Sequence, residues 1–232
     1  MKFFYSAGVR GYGLQNRLIH KFFNFPLYPT VTKTLTLNKK NGYPFAIMRF
    51  GKTVWNKVCL HNVGIHNWIV NYYNEIDFKD VIVSISGEDD DIETMVYYLN
   101  NLNIGGIELN YSCPNIKSNN NKKIPHTDHK LYLKLNYKQD PYDFNLENII
   151  SIRVNSIPTK FGGLSGKYAQ KKNWKFIEKF NKEGLSISGA SCLDFDDFKR
   201  MENIGCSDIG LGTITLINPS IIPVISRLHK DI

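Results

Sequence analysis

Two lysines stand on apolar runs, Lys33 after Thr30-Val31-Thr32 and Lys134 within Leu131–Leu135. Burying an unpaired ammonium is so costly that two of them opening into one mouth call for an anionic or carbonyl-rich ligand. Either one alone could instead snorkel to the rim. Asparagines recur at comparable places: Asn56, Asn110, Asn115 and Asn155. A buried amide offers one acceptor and two donors. A converging set suits a flat heterocycle with alternating N–H and C=O groups, whereas isolated asparagines cap turns. Cys113 is set among these polar groups, where a thiol can act as nucleophile or proton carrier. The other cysteines, Cys59, Cys192 and Cys206, make no C-x-x-C pair, so zinc and thioredoxin spacings are absent and no metal site is expected.

Glycine turns offer a second kind of chemistry. Ser188-Gly189-Ala190 and Gly210-Leu211-Gly212-Thr213 follow the last two apolar runs, and Gly162-Gly163 and Gly166 come shortly before them. Backbone N–H groups at such turns bind phosphate when a helix starts there. Gly8, Gly11 and Gly13 follow the first apolar run as G-x-x-G-x-G, which is not the dinucleotide fingerprint.

The elements that must position these residues are short, β-branched runs. They predict strands at Phe3–Ser6, Thr30–Leu35, Val81–Ser86, Gly106–Asn110, Leu131–Leu135, Ile152–Asn155, Leu185–Ser188 and Asp208–Leu211. Helical periodicity marks Asp89–Leu102, Asn173–Lys182, Asp194–Ile204 and Pro219–Leu228. Eight strands alternating with helices in 232 residues predict an α/β fold, a compact (β/α)8 TIM barrel over residues 1–232 with reduced helices. The alternative is a doubly wound open sheet. An Asn- and Lys-rich stretch, Ser112–Lys130, reads as an irregular loop after strand 4, either a lid or a low-complexity insert. In a barrel, chemistry sits at the C-terminal ends of the strands, and phosphate sits on the loops after strands 7 and 8.

Composition excludes other classes. Apolar residues make up 42% and charged residues 22%, which rules out wholesale disorder. No run approaches the ~18 apolar residues of a membrane span, and no signal peptide is expected. The net charge of +8 suggests nucleic acid, but the lysines are mostly dispersed, with the densest groups at Lys122-Lys123 and Lys167–Lys175. A phosphate-bearing ligand uses the charge equally well, so no nucleic-acid partner is expected.

ELNYSCPN (Glu108–Asn115) resembles the signature of dihydroorotate dehydrogenases, the flavin enzymes of pyrimidine synthesis. Other segments resemble the family in the same order: TKTLTLNKKNGYP (Thr32–Pro44), WNKVCLHNVG (Trp55–Gly64), LKLNY, VNSIP, FGGLSG and LGTITL. The resemblance implies a barrel with FMN at its mouth and dihydroorotate stacked on the flavin. Cys113 would be the base, as in the family's cytosolic class, which implies a cytoplasmic protein. Lys33 would lie between flavin and substrate and belong to the catalytic set. Lys33, Asn56, Asn110, Asn115, Asn155 and Ser156 would hold the substrate. Ala7, Gly8, Lys33, Thr34, Asn110, Lys134, Gly163, Gly189, Ala190, Gly212 and Thr213 would hold FMN, with Lys134 near flavin N1. A homodimer is implied because the family is often dimeric. An ordinary thiol titrates near ~8.5, so activity should rise with pH. The chain departs from the family where a glycine pair after strand 7 reads Gly189-Ala190, and where Cys59 replaces a glycine. Two further readings stand beside this one: a degenerate barrel that binds a ligand or partner without turnover, and a related flavin enzyme acting on another pyrimidine.

Overall fold

The computed structural model describes residues 2–13, 25–43, 45–73, 80–112, 123–154 and 156–228. Along the chain run β1 (Lys2–Tyr5), β2 (Thr30–Val31) and a hairpin of β3 (Ile47–Phe50) and β4 (Thr53–Asn56). Helix α1 (Ile65–Tyr72) leads to β5 (Val81–Ile85), α2 (Asp89–Leu99), β6 (Gly106–Asn110), β7 (Leu131–Leu135) and β8 (Ile149–Val154). A second hairpin, β9 (Ile157–Thr159) and β10 (Gly162–Gly166), precedes α3 (Lys167–Lys182) and α4 (Phe195–Ile204). Then come β11 (Asp208–Leu211), α5 (Ile214–Ile217) and α6 (Ile221–Leu228).

Seven strands form a parallel sheet in the order β11-β1-β2-β5-β6-β7-β8. The predicted strand at Leu185–Ser188 is reduced to single bridges, yet it closes the ring. Ile187 pairs with Ile152 on β8, and Gly189 pairs with Ile209 on β11. The Ser188 N–H donates to Ile152 O at 2.9 Å, and the Gly189 N–H donates to Asp208 O at 2.7 Å. A Cβ at Gly189 would lie 2.9 Å from Ile209 Cγ1 and 3.0 Å from Met201 Cγ of α4. Only glycine lets α4 press that closely on the seam. The predicted run Thr30–Leu35 also shortens, to β2 and a bridge from Leu35 to Ile85.

Helices form where periodicity and caps agree. Asp89, Asp90 and Asp91 fill the first turn of α2, and its stripe Ile92, Met95, Val96 and Leu99 is buried. The Asp194 carboxylate accepts from the Asp197 N–H to cap α4, and Gly205 closes that helix at φ 89°. Helix α3 begins six residues earlier than the periodicity predicts. After β7 only a 3-10 turn at Pro141–Asp143 takes the place of a helix, in line with the reduced helices expected. No helix of the described residues is long and apolar enough to cross a membrane.

Alternation along the strands divides two environments. Outward residues such as Val83, Ile107, Leu109, Leu131, Leu133 and Ile209 join the large core against the helices. Inside the barrel a small apolar group of Phe4, Val31 and Ile82 packs with Ala7 and Tyr132. Above it the inward positions turn polar: Ser84, Glu108, Asn110, Lys134 and Arg153 are all buried. A second, antiparallel sheet in the order β3-β4-β10-β9 was not legible in the sequence. Its hairpins follow barrel strands 2 and 6, so it stands over the C-terminal ends. It is tied to the strand-8 loop by Thr213 Oγ1, which donates to Ser165 Oγ at 2.7 Å, and by Arg49 NH1, which donates to Leu216 O at 3.2 Å.

Candidate active site

The floor of the mouth is a buried ion cluster on three neighbouring strands. Glu108 (1% exposed) accepts from Lys134 Nζ at 3.2 Å and from Arg153 NH1 at 3.0 Å. Ser84 Oγ donates to the same carboxylate at 2.9 Å. Burial alone would raise the Glu108 pKa. The two cations and the hydrogen bonds from Arg153 and Ser84 outweigh burial and hold it below the ordinary carboxylate value. The Arg153 guanidinium lies 3.9 Å from each of the Phe4 and Tyr132 ring centroids. Glu108 and Arg153 were not among the sequence candidates. Their signal was there in the inward register positions of β6 and β8, one residue or more inside the strand ends where polar groups were sought.

Next to this cluster sits Asn110, at the end of β6 and in register with Lys134. Its Nδ2 donates to Thr34 Oγ1 at 3.0 Å, and its Oδ1 accepts from Ser112 Oγ at 2.6 Å and Ser112 N–H at 3.2 Å. With the oxygen engaged twice, the free capacity of Asn110 is an N–H donor. Thr34 in turn shares a 3.0 Å hydrogen bond with Ser84. The predicted residues Lys134, Asn110 and Thr34 therefore stand in one network.

Lys33 is half-buried beside Gly8, whose added Cβ would come 4.0 Å from the lysine chain. Its backbone N–H donates to Gly11 O at 2.6 Å, which ties the strand-1 loop to strand 2. No carboxylate of the described residues pairs with its ammonium, and burial lowers its pKa. The unfolded chain therefore holds this proton at pH values where the folded chain releases it. Wild-type protein should gain stability relative to Lys33→Met as pH rises toward 10.5. Urea unfolding of both proteins at pH 8, 9 and 10 checks this; a constant difference would contradict it.

The second sheet unites three residues that are far apart in sequence. Gly163 pairs with Asn56 across β10 and β4. A Cβ at Gly163 would lie 2.8 Å from Ser156 Oγ and 3.3 Å from Asn56 Nδ2, so Asn56, Ser156 and Gly163 meet at one point. Cys59, where the resemblance expects glycine, has φ 54°, the left-handed region that favours glycine.

Loops after strands 7, 8 and 1 are neighbours in the barrel. The backbone N–H groups of Ala7, Gly8, Ala190, Ser191, Gly212 and Thr213 find no acceptor among the described residues. That donor set suits a phosphate group. The Gly189 N–H is instead engaged in closing the barrel. Ser191 occupies the left-handed region at φ 62° and is held there from α3. Gln170 Nε2 donates to its carbonyl and Asn173 Nδ2 to its hydroxyl, both at 3.0 Å. The loop thus keeps an open backbone without a second glycine. Cys113, Asn115 and Asn155, three of the predicted residues, lie outside the described residues, as does most of the loop after strand 4. Burial pushes the Cys206 thiol to about 12 and the Cys192 thiol well above its ordinary value, so neither is a thiolate at neutral pH. Among the described residues no group of three His, Cys, Asp or Glu could hold a metal.

A polar barrel mouth with open backbone donors on one side and a lysine-asparagine network on the other can be compared with known proteins. No protein-family model matches the chain. It is 24% identical to the dihydroorotate dehydrogenase B (NAD(+)) catalytic subunit of Malacoplasma penetrans, over 87% of this chain and 80% of that protein. The chain is similar to dihydroorotate dehydrogenases. The corresponding subunit of Porphyromonas gingivalis is 33% identical over a shorter stretch, 48% of this chain and 38% of its own length. Among solved structures, ligand-free DHODH from Eimeria tenella superposes with a TM-score of 0.64 at 14% identity, covering 83% of this chain and 74% of that one. The chain shares that fold, and its parallel sheet closed through Ile187 and Gly189 is the barrel that its sequence predicts.

Proposed function

We propose that the chain oxidises dihydroorotate to orotate in pyrimidine synthesis, with FMN as its cofactor. The observation that carries the reading is the set of backbone N–H groups at Ala7, Gly8, Ala190, Ser191, Gly212 and Thr213 that find no acceptor among the described residues, on loops beside a cationic mouth. These groups fit the phosphate of FMN, and Lys33, Thr34, Asn110 and Lys134 would surround its ring. Bound FMN supplies a two-electron acceptor for the hydride that leaves substrate C6. Cys113 takes the C5 proton. Asn110 donates to a carbonyl oxygen of the pyrimidine, and Asn56, Asn115, Asn155 and Ser156 complete its recognition. Lys134 stabilises negative charge that develops on reduction. The relatives are named as catalytic subunits of NAD(+) enzymes. A partner subunit that passes electrons to a nicotinamide fits this chain too, and a cytoplasmic location goes with it.

An absorption spectrum of the purified protein, before and after anaerobic dihydroorotate, tests the reading. A flavin spectrum that bleaches is expected. A flavin that stays oxidised would replace the substrate, and a colourless protein that FMN cannot reconstitute would leave a barrel without turnover. Within this reading Gly163→Ala should raise the dihydroorotate KM about tenfold, because the new methyl pushes Ser156 from Asn56. The stability cost of such overpacking is about 1–3 kcal/mol. An unchanged KM would show that the two side chains do not act together.

A further inference from the structure

We infer that Arg153 is a positioning residue: by carrying the charge of Glu108, it leaves Lys134 a net cation at the barrel mouth. Glu108 lies within hydrogen-bonding distance of both Lys134 and Arg153, so one negative charge meets two positive ones. Glu108 Oε2 faces Arg153, while Oε1 faces Lys134 and Ser84. A guanidinium carries a delocalised positive charge, and that of Arg153 sits 4% exposed between the Phe4 and Tyr132 rings. The rings fix its plane without supplying a counter-charge. Its Nε finds no partner among the described residues, and Glu108 is the carboxylate it meets. Without Arg153, Glu108 and Lys134 would form a neutral pair. With it, the cluster carries a net positive charge in a site shielded from water, where charge acts over a longer range. Lys134 is level with Asn110 at the strand ends, so that charge is presented to whatever binds there. The ligand chemistry it favours is an anion or a heterocycle that gains electrons.

The inference rests on the proposed FMN reading for its ligand but not for its charge balance, and the test separates the two. Wild type, Arg153→Met and the double variant Arg153→Met/Glu108→Gln carry cluster charges of plus one, zero and plus one. The readouts on the FMN-loaded protein are the flavin midpoint potential and the affinity for sulfite, which adds to flavin and leaves negative charge on the ring. Arg153→Met should bind sulfite about tenfold more weakly and lower the two-electron potential by ~30 mV, the equivalent of tenfold. The double variant should return both to near wild type, although it has lost more buried hydrogen bonds. A merely structural Arg153 would leave the potential unmoved, or leave the double variant worse than the single one, and either result overturns the inference. If the wild type takes up no FMN, the proposed function falls, and a 13C titration of the Glu108 carboxyl decides this point by itself. Arg153→Met must raise that titration, and an unmoved Glu108 overturns the inference. If Arg153→Met does not fold, Arg153→Lys, which keeps the charge, must retain the wild-type potential; a drop would overturn it.

Discussion

Glu108→Ala is expected to destabilise the protein by about 3–5 kcal/mol, the cost of leaving buried charge without its partner. Domains of this kind are stable by only ~5–15 kcal/mol, so the variant should lose a large share of its margin. The reason is specific. Lys134 and Arg153 are 9% and 4% exposed at the side chain, and Glu108 is the carboxylate that both of them meet. Removing it leaves two buried cations on neighbouring strands without the counter-charge they share. Urea unfolding followed by circular dichroism measures the change; a loss under ~1 kcal/mol would mean that water or a rearrangement compensates. The pH dependence has a fixed sign. Glu108 is held below its ordinary value in the fold, so its contribution is complete above the unfolded carboxylate pKa. It is lost as pH falls through the folded value. Wild type should therefore lose stability in acid more steeply than Glu108→Ala.

Cys113→Ser is expected to reduce turnover of dihydroorotate about 10²–10⁴-fold, the usual contribution of a general base. A serine hydroxyl is a far weaker acid than a thiol, so at neutral pH it cannot supply the anion that takes the C5 proton. Binding of FMN and of orotate should stay within about twofold, because the asparagines and backbone donors are untouched. Stopped-flow bleaching of the flavin by dihydroorotate separates the two effects. A variant that bleaches within threefold of the wild-type rate would remove Cys113 from the mechanism and leave the base to another residue.

How far these residues could be read in advance varied with the kind of signal. Strand β5 follows a run of Val and Ile, and in β6, β7 and β11 an Ile or Leu recurs at every second position, patterns that need no partner to be recognised. Helix α2 is equally plain, since three aspartates and an i, i+3, i+4, i+7 stripe mark it. The seam at Ile187 and Gly189 was overestimated as a strand, because two bridges suffice where neighbours on both sides already hold the chain. The sheet of β3, β4, β9 and β10 went unseen. Its strands are short and its pairing spans more than a hundred residues, with Asn56 opposite Gly163. No window along the sequence contains that contact.

The candidate site divides in the same way. Residue types at strand ends pointed to Lys33, Asn110, Lys134 and the glycine turns, because a barrel places its strand ends in one mouth whatever the details of packing. The sequence by itself determined the α/β alternation, the closing barrel and the kinds of polar group available at its mouth. Tertiary structure alone decided that Lys134 has a carboxylate partner and that Arg153 shares it. It alone decided that Ser191 can bend without being glycine, and that Asn56 meets Ser156. Those are distances between side chains on different elements. Periodicity reports which face a residue is on, but only packing sets what lies opposite it and how much charge is left over.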